Sequence, residues 1–233
     1  MVKPWAWILL LGMALLAATA GLHQRFAGER GKSPRYHLTG PFRGMLCSYR
    51  WVEVLRKQSQ FQYEEVSRLG KEICELQPYV EQSWNYLAWN MAFNLFVEAG
   101  DSEESQWKWL SRGLDHYDEG LLWNPQSKLL KLEKILTIHL RSEGRPAMLK
   151  RLNEKYGGNA ISAAARWMQE LQLGKNGEYV EVQWAIVVLR RAGCYDDAIE
   201  TCSTALQRFP KSRERFGEIR NILEKEKLES CRK

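Results

Sequence analysis

The chain has 233 residues, 45% apolar and 27% charged, with a formal charge of +6, an ordinary globular composition. Its lysines and arginines alternate with acids rather than gathering into a basic stripe, which argues against a nucleic-acid footprint and leaves nucleic acid out of the expected partners. The five cysteines, Cys47, Cys74, Cys194, Cys202 and Cys231, show no C-x-x-C spacing. They indicate neither a disulfide framework nor a zinc site, and the redox compartment stays open.

Residues 4–22 carry no charge and include the run Ile8-Leu9-Leu10-Leu11. Nineteen such residues at a rise of about 1.5 Å each can just cross a hydrocarbon core of roughly 30 Å. The stretch is longer than the usual core of a signal peptide, so residues 1–23 are read as a membrane anchor. The Ala18-Thr19-Ala20 triplet keeps a cleaved signal segment open as the alternative. The flanking charges are Lys3 on one side and Arg25, Arg30, Lys32 and Arg35, offset by Glu29, on the other. By loop charge the domain would be cytoplasmic, whereas bacterial signal-anchor proteins more often export their C-terminal part, so the side of the soluble domain stays undecided.

Residues 24–41 hold Gly28, Gly31, Pro34, Gly40 and Pro41 among polar groups and read as a linker. Gly31-Lys32-Ser33 resembles the end of a phosphate-binding loop. The motif needs a glycine where Phe26 stands, and no strand precedes it, so it is rejected.

From Phe42 onward apolar residues recur at three and four, and no period-2 strand is found, which predicts an all-α fold. Helices are predicted near 42–58, 62–76, 80–99, 103–119, 126–142, 146–156, 160–172, 179–191, 195–208 and 212–229. Asp101 and Glu104 have the spacing of a capping box for the fourth. Eight tryptophans fall in this part, and most are expected to fill gaps between helices.

The helices group into repeated pairs. The clearest unit ends at Pro210, with Ala185, Ile186 and Leu189 on its first helix and Gly193, Tyr195, Ala198 and Ala205 after it. Gly193 allows a sharp turn, the alanines let two helices approach, and Pro210 stops the second helix. A degenerate unit ends at Pro78, with Trp51, Val54 and Leu55 on its first helix and Tyr63, Val66 and Ile73 on its second. A third begins with Trp84-Asn85-Tyr86-Leu87-Ala88 and ends at Asn124-Pro125. It carries an insertion of roughly 13 residues around 98–104 relative to a 34-residue period.

These spacings resemble the tetratricopeptide repeat (TPR) family. Phe42-Arg43-Gly44, the stretch from Trp84 to Asn94 and Asn124-Pro125 are also similar to poorly characterised bacterial single-pass membrane proteins with TPR-like domains. The resemblance implies a right-handed solenoid of antiparallel helix pairs over residues 42–211, closed by a capping helix and tail over 212–233. It implies a concave face, lined by first helices, that holds a protein or peptide partner, in a protein of the bacterial inner membrane. Carrying the register over places Asn85, Trp89 and Phe93 on that face from the third unit, and Gln183, Val187, Arg190 and Arg191 from the last.

No family catalytic residue exists to carry over. The four histidines, His23, His37, His116 and His139, show no metal-ligand spacing, and no nucleophile or nucleotide motif is present. No cofactor and no metal is expected, and the reading is a non-catalytic interaction scaffold or assembly factor. The alternatives are a structural subunit of an envelope complex, and an enzyme or small-ligand binder using Trp84, Trp89, Trp107 and Trp109.

Overall fold

A computed structural model describes residues 39–232. The apolar run at 4–22, read as an anchor, and the linker up to residue 38 lie outside the described residues. The described residues are all helical, without a strand, and none of their helices is long and apolar enough to cross a membrane.

Helices α1 (Arg43–Ser59) and α2 (Tyr63–Leu76) pack along one another. In α2 the apolar residues Val66, Leu69, Ile73 and Leu76 stand three and four apart and are all buried, which is why this segment forms a helix lying on a neighbour. On α1 Val54 is buried but Leu55 is 61% exposed, so the repeat register expected for Leu55 is not where the helices touch. Val54, Val66, Leu69 and Ile73 form a small core of their own, flanked by Trp51 and Tyr86.

Helix α3 (Glu81–Trp89) runs on into a π-helical segment (Asn90–Leu95) and a last α turn (Phe96–Glu98). Helix α4 (Glu103–Trp123) packs against α3 and the π segment. Its cap is Ser102, whose Oγ accepts the Ser105 amide at 3.3 Å, rather than the Asp101–Glu104 box the spacing predicts. The ends of the pair are tied at one atom: the Pro78 carbonyl accepts Trp84 Nε1 at 3.0 Å and Asn124 Nδ2 at 2.8 Å.

Helix α5 (Lys128–Ser142), capped by Ser127, lies against α3 and α4 and also against α6 (Pro146–Lys155) and α7 (Ala160–Glu170). Ala163, Ala164 and Ala165 are buried in α7, as their size requires for close helix contact. A one-turn helix α8 (Leu173–Asn176), absent from the sequence prediction, follows Gln172, which sits at φ 48. Helix α9 (Tyr179–Arg191) starts with a capping box between Glu178 and Glu181, and it packs against α5, α7 and α10 (Tyr195–Arg208). The turn between α9 and α10 passes through Gly193 at φ 77, a left-handed conformation that a glycine enters without steric cost. Ala198, Cys202 and Ala205 bury the inner face of α10, and α11 (Arg213–Ser230) closes against it through Phe216 and Leu223. One continuous core runs from Cys74 to Leu223.

Candidate partner-binding site

The first-helix residues read as a groove fall into two patches with α5 between them. Asn85 and Trp89 of α3 and Phe93 of the π segment stand four apart in the chain and share a face. Asn85 is half-buried and accepts a hydrogen bond from Tyr117 Oη of α4 at 3.3 Å, so its amide serves the α3–α4 contact. Trp89 is 40% exposed. It stacks on Phe93 with centroids 5.2 Å apart and planes 14° from parallel.

The π segment carries Phe93, and Phe96 follows it; both reach α5. The Arg141 guanidinium lies 4.2 Å from the Phe93 centroid and 4.5 Å from that of Phe96. Arg145, just before α6, lies 5.0 Å from Phe96. Arg141 Nε is buried without a hydrogen-bond partner. Burial first, and the Arg145 charge second, pull the Arg141 pKa down to about 10, which still leaves it a cation at neutral pH. Among the described residues no carboxylate pairs with either arginine; Glu143, between them in sequence, pairs with neither. Two neighbouring cations on aromatic faces, with no acid to balance them, form an electrostatically incomplete arrangement.

On α9, Gln183 donates to Tyr179 Oη at 3.1 Å, and Val187 is 41% exposed. Gln183, Val187 and Arg190 line a cleft of about 420 Å³ between α9 and α11, with Trp184, Ile219 and Ile222 as its apolar walls. Arg190 donates to Glu226 of α11 through Nε at 2.8 Å and through Nη2. Arg191 turns the other way. Its Nη1 donates to the His139 carbonyl at 2.5 Å, in the last turn of α5, where the helix dipole favours a cation.

Arg190 and Arg191, both placed on the concave face by the register, therefore point apart, and each donates to a partner within the molecule. Arg141 and Arg145 are a neighbouring positive pair with no carboxylate partner among the described residues. Sequence reasoning missed it, and the only local signal was two arginines flanking the Glu143-Gly144 turn. His139 links the patches: its ring meets Trp184 edge-on at 6.2 Å. Burial, and next the Arg191 charge, hold the His139 pKa below its ordinary value.

The tryptophan-rich alternative gathers differently from its sequence order. Trp84 and Trp109 are buried, with Trp84 held by the Pro78 carbonyl. Lys108 and Arg112 both sit 5.1 Å over the Trp109 ring and both donate to Glu64. Trp107 is half-buried under Arg151. Among the described residues, no three His, Cys, Asp or Glu side chains gather where a metal ion could be held.

Comparison with protein-family models, with curated proteins and with solved structures finds no match to this chain.

Proposed function

We propose that this chain is a non-catalytic, TPR-like repeat protein, attached to a membrane through its apolar N-terminal segment, that holds a partner protein on the face made by α3, α5, α9 and α11. The packing order supports the repeat reading. Helices α3 and α5 meet side by side, and each also packs on the helix that follows it, α3 on α4 and α5 on α6, as antiparallel pairs in a row would.

The observation that carries the binding reading is Arg141. An arginine held over aromatic rings by its charge can still donate from its terminal nitrogens, and a carboxylate can accept two parallel bonds from a guanidinium. A side-chain carboxylate of a partner would also relieve the repulsion between Arg141 and Arg145. Beside it, Trp89 and Phe93 offer a flat apolar platform, the residue type most often found at binding hot spots. The α9–α11 cleft accepts apolar side chains farther along the same segment. Such a partner carries an acidic residue flanked by aromatic or aliphatic ones.

The test is co-purification from membranes with mass spectrometry, comparing wild type with Trp89→Ala and Arg141→Gln after each is shown to be folded by circular dichroism. Loss of one stoichiometric partner in both variants is the expected result. Retention of every co-purifying protein at wild-type levels in both would place binding on another face.

A further inference from the structure

One end of the molecule carries an apolar surface that nothing in the described fold covers. Phe42, Met45, Leu46, Tyr49 and Val52, on α1 and the turn before it, are 52%, 66%, 37%, 58% and 65% exposed. At 100° per residue they fall within a sector of about 120°, a single stripe along the helix. The opposite face holds buried Cys47 and Val54. The other end of the molecule is built differently. Helix α11 buries Phe216 and Leu223 and exposes a mostly charged surface, as a terminal repeat must to stay in water. A contiguous stripe of large apolar side chains marks an interaction surface.

We propose that this stripe lies on the surface of the bilayer, with its side chains at the boundary between headgroups and acyl chains. The inference rests on the membrane-attached reading given above and extends it. Three observations select lipid as the occupant. The apolar run at 4–22 precedes α1 by only a linker, so α1 is the first described helix after the segment read as membrane-bound. That linker spans at most about 65 Å when extended, which holds α1 near the bilayer without forcing its orientation. Helix α1 also carries four bases, Arg43, Arg50, Arg56 and Lys57, against the single acid Glu53; Arg50 is paired with Glu53 and with Glu72 of α2, which still leaves the helix with an excess of positive charge. An apolar stripe flanked by basic residues is the pattern of a helix lying in an anionic interface. A second copy of the chain seated here would bring two such positive helices together.

The test uses the full chain reconstituted in phosphatidylcholine vesicles containing about a third phosphatidylglycerol. Nitroxide labels are placed at Met45→Cys or Val52→Cys in a Cys194→Ser/Cys231→Ser background, with Leu122→Cys, 83% exposed on α4, as the water-facing reference. Collision rates with oxygen, which concentrates in lipid, and with a neutral nickel chelate, which stays in water, are then compared. The expected result is oxygen-dominated collision at 45 and 52 and nickel-dominated collision at 122. Nickel access at 45 and 52 equal to that at 122 would show the stripe facing water and overturn the proposal. Exclusion of both reagents would mean that protein covers the stripe, and would overturn it as well. Carbonate extraction of the same vesicles tests the anchor separately. A chain released by carbonate but lipid-exposed at 52 loses the anchor and keeps the surface contact, while a retained chain with a water-facing stripe does the reverse.

Discussion

Gly113 of α4 lies against Ala88 of α3 so closely that a β-carbon added to it would stand 2.7 Å from the Ala88 carbonyl oxygen. The obstacle is backbone, which cannot swing aside as a side-chain tip would. Gly113→Ala should therefore destabilise. Overpacking costs about 1–3 kcal/mol, and the gain in helix propensity of about 1 kcal/mol offsets only part of it. Gly217 of α11 has nothing within 4 Å of the same added atom, so Gly217→Ala should stabilise by up to about 1 kcal/mol. Urea denaturation of the two variants checks the pair, and shifts of the same sign would contradict the α3–α4 contact.

Ala198 is fully buried in α10, between neighbouring helices. Leucine there adds volume to a closed contact, and Ala198→Leu should lower stability by about 1–3 kcal/mol. Asp196, two residues earlier, points outward and meets Lys227 at the surface. Asp196→Ala should leave the melting temperature unchanged within error. Equal melting shifts for the two would mean that the inner face of α10 has been assigned to the wrong residues.

His139 gives the fold a pH dependence of known sign. Burial and the Arg191 charge both disfavour its protonated form, and the nearby Glu143 only partly opposes them. The folded chain therefore binds this proton less readily than the unfolded chain, whose histidine titrates near 6.5. The stability this confers is present above about pH 6.5 and is lost as pH falls from there through the lower folded value. Unfolding free energies at pH 7.5 and 5.5 should show the drop, and His139→Gln should flatten it. An unchanged slope in the variant would assign the effect to another group.

The helices were legible to within a few residues, because each buried face repeats at three and four and most turns have a glycine, a proline or a cap; the α1–α2 turn has none of these and bends through Phe61 at φ 57. Ala198 and Gly193 fell where the spacing put them. What escaped were features set by distant partners. No local residue announces the π segment at Asn90–Leu95, which sits where this stretch packs against α4. Leu173–Asn176 is a single turn, too short for a periodic signal. In the candidate site, the positions of Arg190 and Arg191 were readable, but their partners were not. Glu226 lies 36 residues away and the His139 carbonyl 52. Arg141 is the converse: its importance comes from the acid it lacks, and sequence patterns register what is present.

The two bonds to the Pro78 carbonyl bear on how the chain tolerates change in length. The start of α3 and the end of α4 are fastened at one oxygen, by Trp84 and Asn124, while the far end of the hairpin closes through the exposed Gly100–Ser102 bend. A hairpin clamped at its base can lengthen at its tip without moving the elements on either side. Residues added at that tip would extend the hairpin outward and leave the fastening at Pro78 in place. Residues inserted at this bend should therefore cost little stability, whereas loss of the Asn124 side chain should loosen the base of the hairpin.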